Sequence, residues 1–231
     1  QRNLYWTSAK GVWKYDRASG VVSLWVGSVN TPYTSTSGTD RQSWSGLTLD
    51  TLYIGGEGTL YLSVYSGSSV SRIWKVDVDG KLVPVLGGGS ATAADGVSNT
   101  TVALVNGASF RAGEGGAPDR AYFASGGSLW EANLGTAEGG GKMKRIWSSP
   151  VPQYGGLFLG RYLPSKRAIP WSGSGTAVTG IYFFDPDSPT RSMTAANGAD
   201  SNYVGFTAMM DDGDGGFYQL GDNRGRKYPQ G

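Results

Sequence analysis

The sequence contains no cysteine and no histidine among its 231 residues. Without cysteine, the chain has no disulfide, no thiol nucleophile and no thiolate site for zinc or an iron–sulfur cluster. Without histidine it lacks the commonest general base and metal ligand, which excludes a serine–histidine–aspartate triad. Any hydrolytic chemistry would therefore depend on carboxylates, lysine, tyrosine or a metal with oxygen ligands.

Charged residues are also scarce, at 16% of the chain, against about 25% in an average domain. The 20 basic and 18 acidic residues leave a net charge of +2, which argues against nucleic acid or an anionic membrane as partner. No apolar run approaches the roughly 20 residues of a membrane-spanning helix. The chain begins with Gln1, which predicts a processed product or a trimmed fragment and would fit secretion.

What the sequence has in abundance is glycine and aromatic residues, with 38 Gly, 8 Trp and 13 Tyr. Turn-forming glycine combined with aromatics is typical of many short β-strands joined by tight hairpins. A chain of this length can form one all-β domain, so we expect residues 1–231 to be a single domain.

Internal repeats are the main observation. Three segments share the order strand, turn, strand, glycine-containing turn, strand. They read LYWTSAKGVWKYDRASGVVSLWVG from Leu4, LYLSVYSGSSVSRIWKVDVDGKLVPVLG from Leu60 and AYFASGGSLWEANLGTAEGGGKMKRIW from Ala121. The stretch IYFFD from Ile181 is a fourth copy of the middle strand of these segments. The stretch FYQLGDNRGRKY from Phe217 matches LYWTSAKGVWKY position for position.

A further strand that opens on glycine precedes most copies, which makes four strands per unit. The opening glycines are Gly46, Gly107, Gly156 and Gly205. Four-stranded units of this size predict a β-propeller of about five blades, or alternatively a fragment of a larger propeller. The repeat units are approximately 1–28, 45–88, 106–148, 155–196 and 204–231.

The second and third strands resemble the NHL-type and YWTD-type propeller repeats. In those repeats an LYW or LYV strand is followed by an I-x-K-x-D strand, and here Tyr5-Trp6-Thr7-Ser8 stands where the YWTD tetrapeptide is expected. The resemblance implies an extracellular binding or scaffold propeller with ligands on one face or in the channel mouth. Some related propellers are calcium-dependent lactonases or lyases.

The connections between repeat units are long, and long loops on a rigid scaffold usually carry binding groups. Aromatic residues stand two positions before three of the four opening glycines, and polar residues accompany them. The predicted stacking residues are Trp44, Tyr154 and Tyr203, and the predicted hydrogen-bonding residues are Arg41, Gln153, Asp200 and Asn202. Aromatic faces with polar neighbours suit a sugar or another flat polar ligand. The alternative is that these rings pack between blades.

Acidic glycine-rich turns recur between the first and second strands, at Glu57, Glu114 and Asp214. Three carboxylates could bind calcium, but glycine and acidic residues also meet the backbone needs of hairpin turns. We expect turns and no cofactor, with calcium as the alternative. The sequence also holds one glycosylation acceptor sequon, at Asn99.

Three functions remain open at the level of sequence, and the chain carries no catalytic signature. The leading hypothesis is a non-enzymatic, extracellular or surface-associated module that binds carbohydrate or a protein partner. The second is a self-associating structural subunit of a filament, virion fibre or cell-surface appendage. The third is a calcium-dependent lactonase-like or lyase-like enzyme.

Overall fold

The computed structural model describes residues 3–8, 11–27, 39–40, 48–55, 58–66, 69–104, 109–117, 119–135, 141–148, 157–173, 180–188, 190, 193–195, 208–214, 216–221 and 224–228. These residues form β-strands and one short 3-10 turn at Glu114–Gly116. The strands are β1 (Leu4–Ser8), β2 (Gly11–Asp16), β3 (Val21–Val26), β4 (Thr39–Asp40), β5 (Thr48–Ile54), β6 (Leu60–Ser66), β7 (Ser69–Val76), β8 (Lys81–Gly87), β9 (Phe110–Ala112), β10 (Arg120–Ser125), β11 (Ser128–Asn133), β12 (Met143–Ser148), β13 (Leu157–Leu159), β14 (Ile169–Gly173), β15 (Ile181–Phe184), β16 (Met193–Ala195), β17 (Ala208–Asp211), β18 (Phe217–Gly221) and β19 (Arg224–Tyr228). No helix in this described part is long and apolar enough to cross a membrane.

The strands form five antiparallel sheets in chain order, so the all-β prediction is confirmed. Sheet 1 is β1–β3, sheet 3 is β9–β12, sheet 4 is β13–β16 and sheet 5 is β17–β19. Sheet 2 contains β5–β8 and a fifth strand that the repeat pattern does not predict. That strand is β4, which comes from the connection after sheet 1 and pairs Thr39 with Leu82 on β8.

The first and last sheets share one hairpin register. In sheet 1 the β1–β2 pairing runs from Leu4 opposite Tyr15 to Ser8 opposite Gly11. In sheet 5 the β18–β19 pairing runs from Phe217 opposite Tyr228 to Gly221 opposite Arg224. The position-for-position match between the two sequences is therefore also a match in strand pairing.

The sheets stack face to face, and four apolar clusters lie between successive sheets. Val12 of sheet 1 and Leu62 of sheet 2 share one cluster, and Tyr61 of sheet 2 lies in the next with residues of sheet 3. The two further clusters join sheet 3 to sheet 4 and sheet 4 to sheet 5. Sheets 2, 3 and 4 are therefore buried on both faces, as neighbouring sheets of a propeller-like fold are.

The third strand of three repeat units carries an apolar residue followed by tryptophan, at Val12-Trp13, Ile73-Trp74 and Leu129-Trp130. The stacking of the sheets explains this apolar–tryptophan step. Successive residues of a strand point to opposite faces, so Ile73 packs toward sheet 3 while Trp74 packs toward sheet 1. In sheet 3, Leu129 packs toward sheet 4 and Trp130 toward sheet 2. Trp74 and Trp130 are therefore core residues that lie between successive sheets. Trp13 is only partly buried, because the face of sheet 1 that it occupies is turned away from sheet 2.

Gly11 shows how tightly one of these sheets is built. Its φ angle is 141°, and a Cβ atom there would overlap the carbonyl oxygen of Val26 on the neighbouring strand. The β2–β3 register shifts one residue later, between Val12 and Trp13. Only glycine fits this close approach at a bulge.

Candidate functional site

Consecutive strands run in opposite directions, so the loops of the sheets lie on two opposite sides, at the two ends of the strands. The turns between second and third strands lie on the side where the connections between sheets begin and end, which we call the connection side. The turns between first and second strands, 55–59, 113–119, 160–168 and 212–216, lie on the other side, which we call the turn side. A long connection on a rigid scaffold is the usual place for a binding group, which makes the connection side the first candidate.

The residues predicted to bind ligand all lie in connections between sheets. Each connection joins the last strand of one sheet to the first strand of the next. Trp44 and Arg41 precede β5, Gln153 and Tyr154 precede β13, and Asp200, Asn202 and Tyr203 precede β17. All seven lie outside the described residues, and so does the acidic-turn residue Glu57. Their role in binding stays a prediction.

The connection between sheets 2 and 3 is described as far as residue 104, and it packs against sheet 3. Asn99 is 2% exposed and is the centre of this packing. Its Nδ2 donates a hydrogen bond of 2.6 Å to the Asn133 carbonyl, and its backbone N–H donates to Gly141. Its own carbonyl accepts from the N–H of Gly87 at the end of β8. The acceptor nitrogen of the sequon is therefore buried and engaged in structure.

On the turn side, a buried carboxyl group lies where β5, β9 and β13 end. Glu114 follows β9 in the 3-10 turn, where Gly113 and Gly115 take the positive φ angles of 64° and 67°. The side chain is 7% exposed, and its Oε2 accepts a hydrogen bond of 3.3 Å from the N–H of Tyr162 in sheet 4. Burial raises the pKa of Glu114, although that hydrogen bond and the positive charge of Arg111 oppose the shift.

Two arginines accompany Glu114, and we call Tyr53, Arg111, Glu114, Arg161 and Tyr162 the strand-end cluster. The Arg111 guanidinium lies 5.5 Å from the centre of the Tyr53 ring, and its Nη1 donates to the Phe110 carbonyl at 2.8 Å. Burial lowers the pKa of Arg111. Arg161 Nη2 lies 3.5 Å from the carbonyl oxygen of Ile54, at the end of β5. The cluster thus links sheets 2, 3 and 4.

This geometry favours turn chemistry over calcium for the acidic residues. Two guanidinium groups beside Glu114 repel a divalent cation, and one carboxylate oxygen already accepts a backbone hydrogen bond. In sheet 5 the Asp212 carboxylate accepts from the N–H groups of Asp214 and Gly216. Within the ranges that the structure describes, no group of three acidic side chains could hold a metal ion.

Sequence reasoning selected Glu114 but missed the two arginines that define its surroundings. The sequence does offer a signal for Arg111, because this charged residue stands between Phe110 and Ala112 on a strand that is otherwise buried. Arg161 carried no local signal, since it lies in the connection after β13 and reaches the cluster only through the packing of sheet 4 beside sheet 3.

Solved structures with a similar fold support a propeller-type architecture. The extracellular domain of BT4673 from B. thetaiotaomicron, assigned as a one component system, matches with a TM-score of 0.57 at 11% identity, over 97% of this chain and 25% of that one. A second structure of that domain, assigned to a hybrid two component system, gives a TM-score of 0.56 at 12% identity, with coverage of 97% and 25%. A protein from Bacteroides uniformis assigned as a 6-phosphogluconolactonase gives 0.55 at 13% identity, covering 100% of this chain and 64% of that one.

These similarities define the class of fold. The chain spans a quarter of the length of the BT4673 domain and less than two thirds of the Bacteroides uniformis protein. No protein-family model matches the sequence. No curated protein matches it either. The chain is therefore an all-β protein with a propeller-type fold, and its function has to be argued from its own residues.

Proposed function

We propose that the five sheets are blades of a β-propeller that acts as a non-enzymatic binding module, extracellular or surface-associated. Its ligand would be a carbohydrate or a protein partner, bound on the connection side. The NHL-type and YWTD-type resemblance of the second and third strands agrees with this proposal, as does the propeller-type fold of the structural neighbours.

The burial of sheets 2, 3 and 4 on both faces is the observation that supports this location. A ligand has no access to those faces, because successive sheets fill them with apolar clusters. Binding groups must then come from the ends of the strands. On the turn side, the turn at Asp77 is internally bonded, since its carboxylate accepts from the N–H groups of Asp79 and Lys81. Three of the four connections between sheets are longer than any turn on the other side, and the predicted aromatic residues belong to connections.

The proposed site follows the sequence prediction residue by residue. Trp44, Tyr154 and Tyr203 would stack against the apolar face of a sugar ring or of a partner's side chain. Arg41, Gln153, Asp200 and Asn202 would fix its orientation through hydrogen bonds.

The test is a glycan-array screen of the purified chain, run with and without added calcium. We expect specific binding that is lost when Trp44, Tyr154 and Tyr203 are all replaced by alanine. Val78→Ala is the matched control, because Val78 is fully exposed in the β7–β8 turn on the other side. Unchanged affinity in a triple variant that still folds would refute the assignment of these residues.

The alternative is an enzymatic function. The name of one structural neighbour suggests it, a 6-phosphogluconolactonase that is 13% identical to this chain. A lactone-hydrolysis assay with purified protein, repeated after chelation, separates the two. Turnover that disappears on chelation and returns with calcium would favour the enzyme, and a blank assay with positive ligand binding would favour the binding module.

A further inference from the structure

The two arginines of the strand-end cluster carry positive charge that no acidic side chain neutralises by direct contact. Arg111 is mostly buried on β9, and its Nε atom has no hydrogen-bond partner in the structure. Within the part of the chain that the structure describes, neither Arg111 nor Arg161 forms an ion pair. A buried charge is normally paired, because taking it out of water costs free energy. The charge of Arg111 therefore points to a partner that the chain itself does not supply.

Arg161 places a second guanidinium at the same strand ends, where solvent can reach it. Its side chain is exposed, and its hydrogen bond to the Ile54 carbonyl is long, at 3.5 Å. Its charge lies close enough to Arg111 to lower the pKa of that residue, as one cation does to another. Two like charges are thus held together at a position that a ligand can approach from solvent.

Glu114 reduces this positive charge without cancelling it. Even when ionised, it sets one negative charge against the two positive charges of Arg111 and Arg161. Burial raises the pKa of Glu114, which favours its neutral form and leaves the cluster still more positive. Its Oε2 atom already accepts a hydrogen bond from the N–H of Tyr162. The cluster therefore attracts an anion in either protonation state of Glu114.

The packing of three sheets holds the two guanidinium groups in place. Arg111 lies 5.5 Å from the centre of the Tyr53 ring of sheet 2, and its Nη1 donates to the Phe110 carbonyl at 2.8 Å. Arg161 reaches from sheet 4 to the end of β5 in sheet 2. A guanidinium held in this way presents a planar set of N–H donors that matches the oxygens of a carboxylate or phosphate.

We propose that the strand-end cluster is an oxyanion-binding site in which Arg111 and Arg161 together hold a carboxylate or phosphate group of a small ligand. Both guanidinium groups would donate hydrogen bonds to the anion, and the Nε atom of Arg111 would gain the partner that it lacks. Glu114 would limit the affinity, because its carboxylate competes with the anion for the same positive charge. This site lies on the turn side and does not depend on the ligand site proposed for the connection side.

The test is isothermal titration of the purified chain with sodium acetate and with sodium phosphate at low ionic strength, where screening is weak. Arg161→Gln should weaken binding about tenfold or more, because it removes a charged donor from an exposed position. Glu114→Gln should strengthen binding roughly fivefold, because it removes the competing charge and keeps the shape of the side chain. Arg17→Gln is the matched control, since it removes the same charge from an exposed turn of sheet 1 and should leave the affinity unchanged.

The two anions separate the possible sources of the ligand group. Binding of acetate identifies a carboxylate ligand, and binding of phosphate alone identifies a phosphate ligand. The proposal is overturned if the unmodified chain binds neither anion, or if Arg161→Gln and Arg17→Gln weaken binding equally, which would indicate general attraction to surface charge. Weaker or unchanged binding by a Glu114→Gln variant with the native circular dichroism spectrum would also overturn it. None of these outcomes bears on glycan binding by the connection side.

Discussion

Replacing Asn99 tests how the connection between sheets 2 and 3 is held. Asn99→Ala removes the donor that lies 2.6 Å from the Asn133 carbonyl, and the loss of one partly buried hydrogen bond costs about 0.5–1.5 kcal/mol. The same change also removes the Asn99 Oδ1 atom, which is buried with no hydrogen-bond partner in the structure. That gain partly offsets the loss, so we expect a destabilisation of about 1 kcal/mol or less.

Asn99→Asp sharpens the test because it keeps the shape of the side chain. It places a carboxylate oxygen against the Asn133 carbonyl and buries a charge with no partner, which we expect to cost about 3 kcal/mol or more at neutral pH. Thr101→Ala is the matched control. It destroys the same sequon, but the Thr101 hydroxyl is on an exposed residue and only donates to Ser98, so we expect a change within about 0.5 kcal/mol.

The assay is equilibrium denaturation of the three variants, together with the mass of the unmodified chain secreted by a glycosylating host. We expect the loss of stability to be largest for Asn99→Asp, smaller for Asn99→Ala and smallest for Thr101→Ala. We also expect no glycan on Asn99. Equal stability for all three variants, or a glycan attached to the Asn99 side chain of the folded protein, would refute this description of the connection.

Three further predictions concern the cluster, the core and one backbone position. Because burial raises the pKa of Glu114, the folded chain holds that proton more tightly than the unfolded chain, so stability should fall as pH rises from the unfolded-state pKa through the folded one. Glu114→Gln should lack this fall, which denaturation of both proteins between acidic and neutral pH measures; parallel pH profiles would contradict it. Phe123→Ala empties a fully buried site and should cost about 3–5 kcal/mol, against less than about 1 kcal/mol for the exposed Phe158→Ala, by the same denaturation. Gly11→Ala should lower the melting temperature much more than Gly20→Ala, because both have positive φ but only Gly11 is crowded by a neighbouring strand; equal shifts would contradict the bulge.

The strand framework was predictable from sequence because it depends on local periodicity. The apolar–tryptophan step alternates between two faces, and that alternation is what packs Ile73 toward one neighbouring sheet and Trp74 toward the other. The match between the segments at Leu4 and Phe217 likewise carries over into identical strand pairing. Repeats report on such contacts because each unit meets the same neighbour in the same way.

The features that could not be predicted depend on contacts between distant residues. Nothing near Thr39 indicates that it pairs with Leu82, because that pairing depends on where the connection crosses the edge of sheet 2. The burial of Glu114 depends on Tyr162, 48 positions later in the chain. Asn99 reads locally as an exposed sequon, and only its contact with Asn133 shows that it is interior. The predicted ligand residues follow no strand periodicity and lie outside the described residues, so their role stays a prediction.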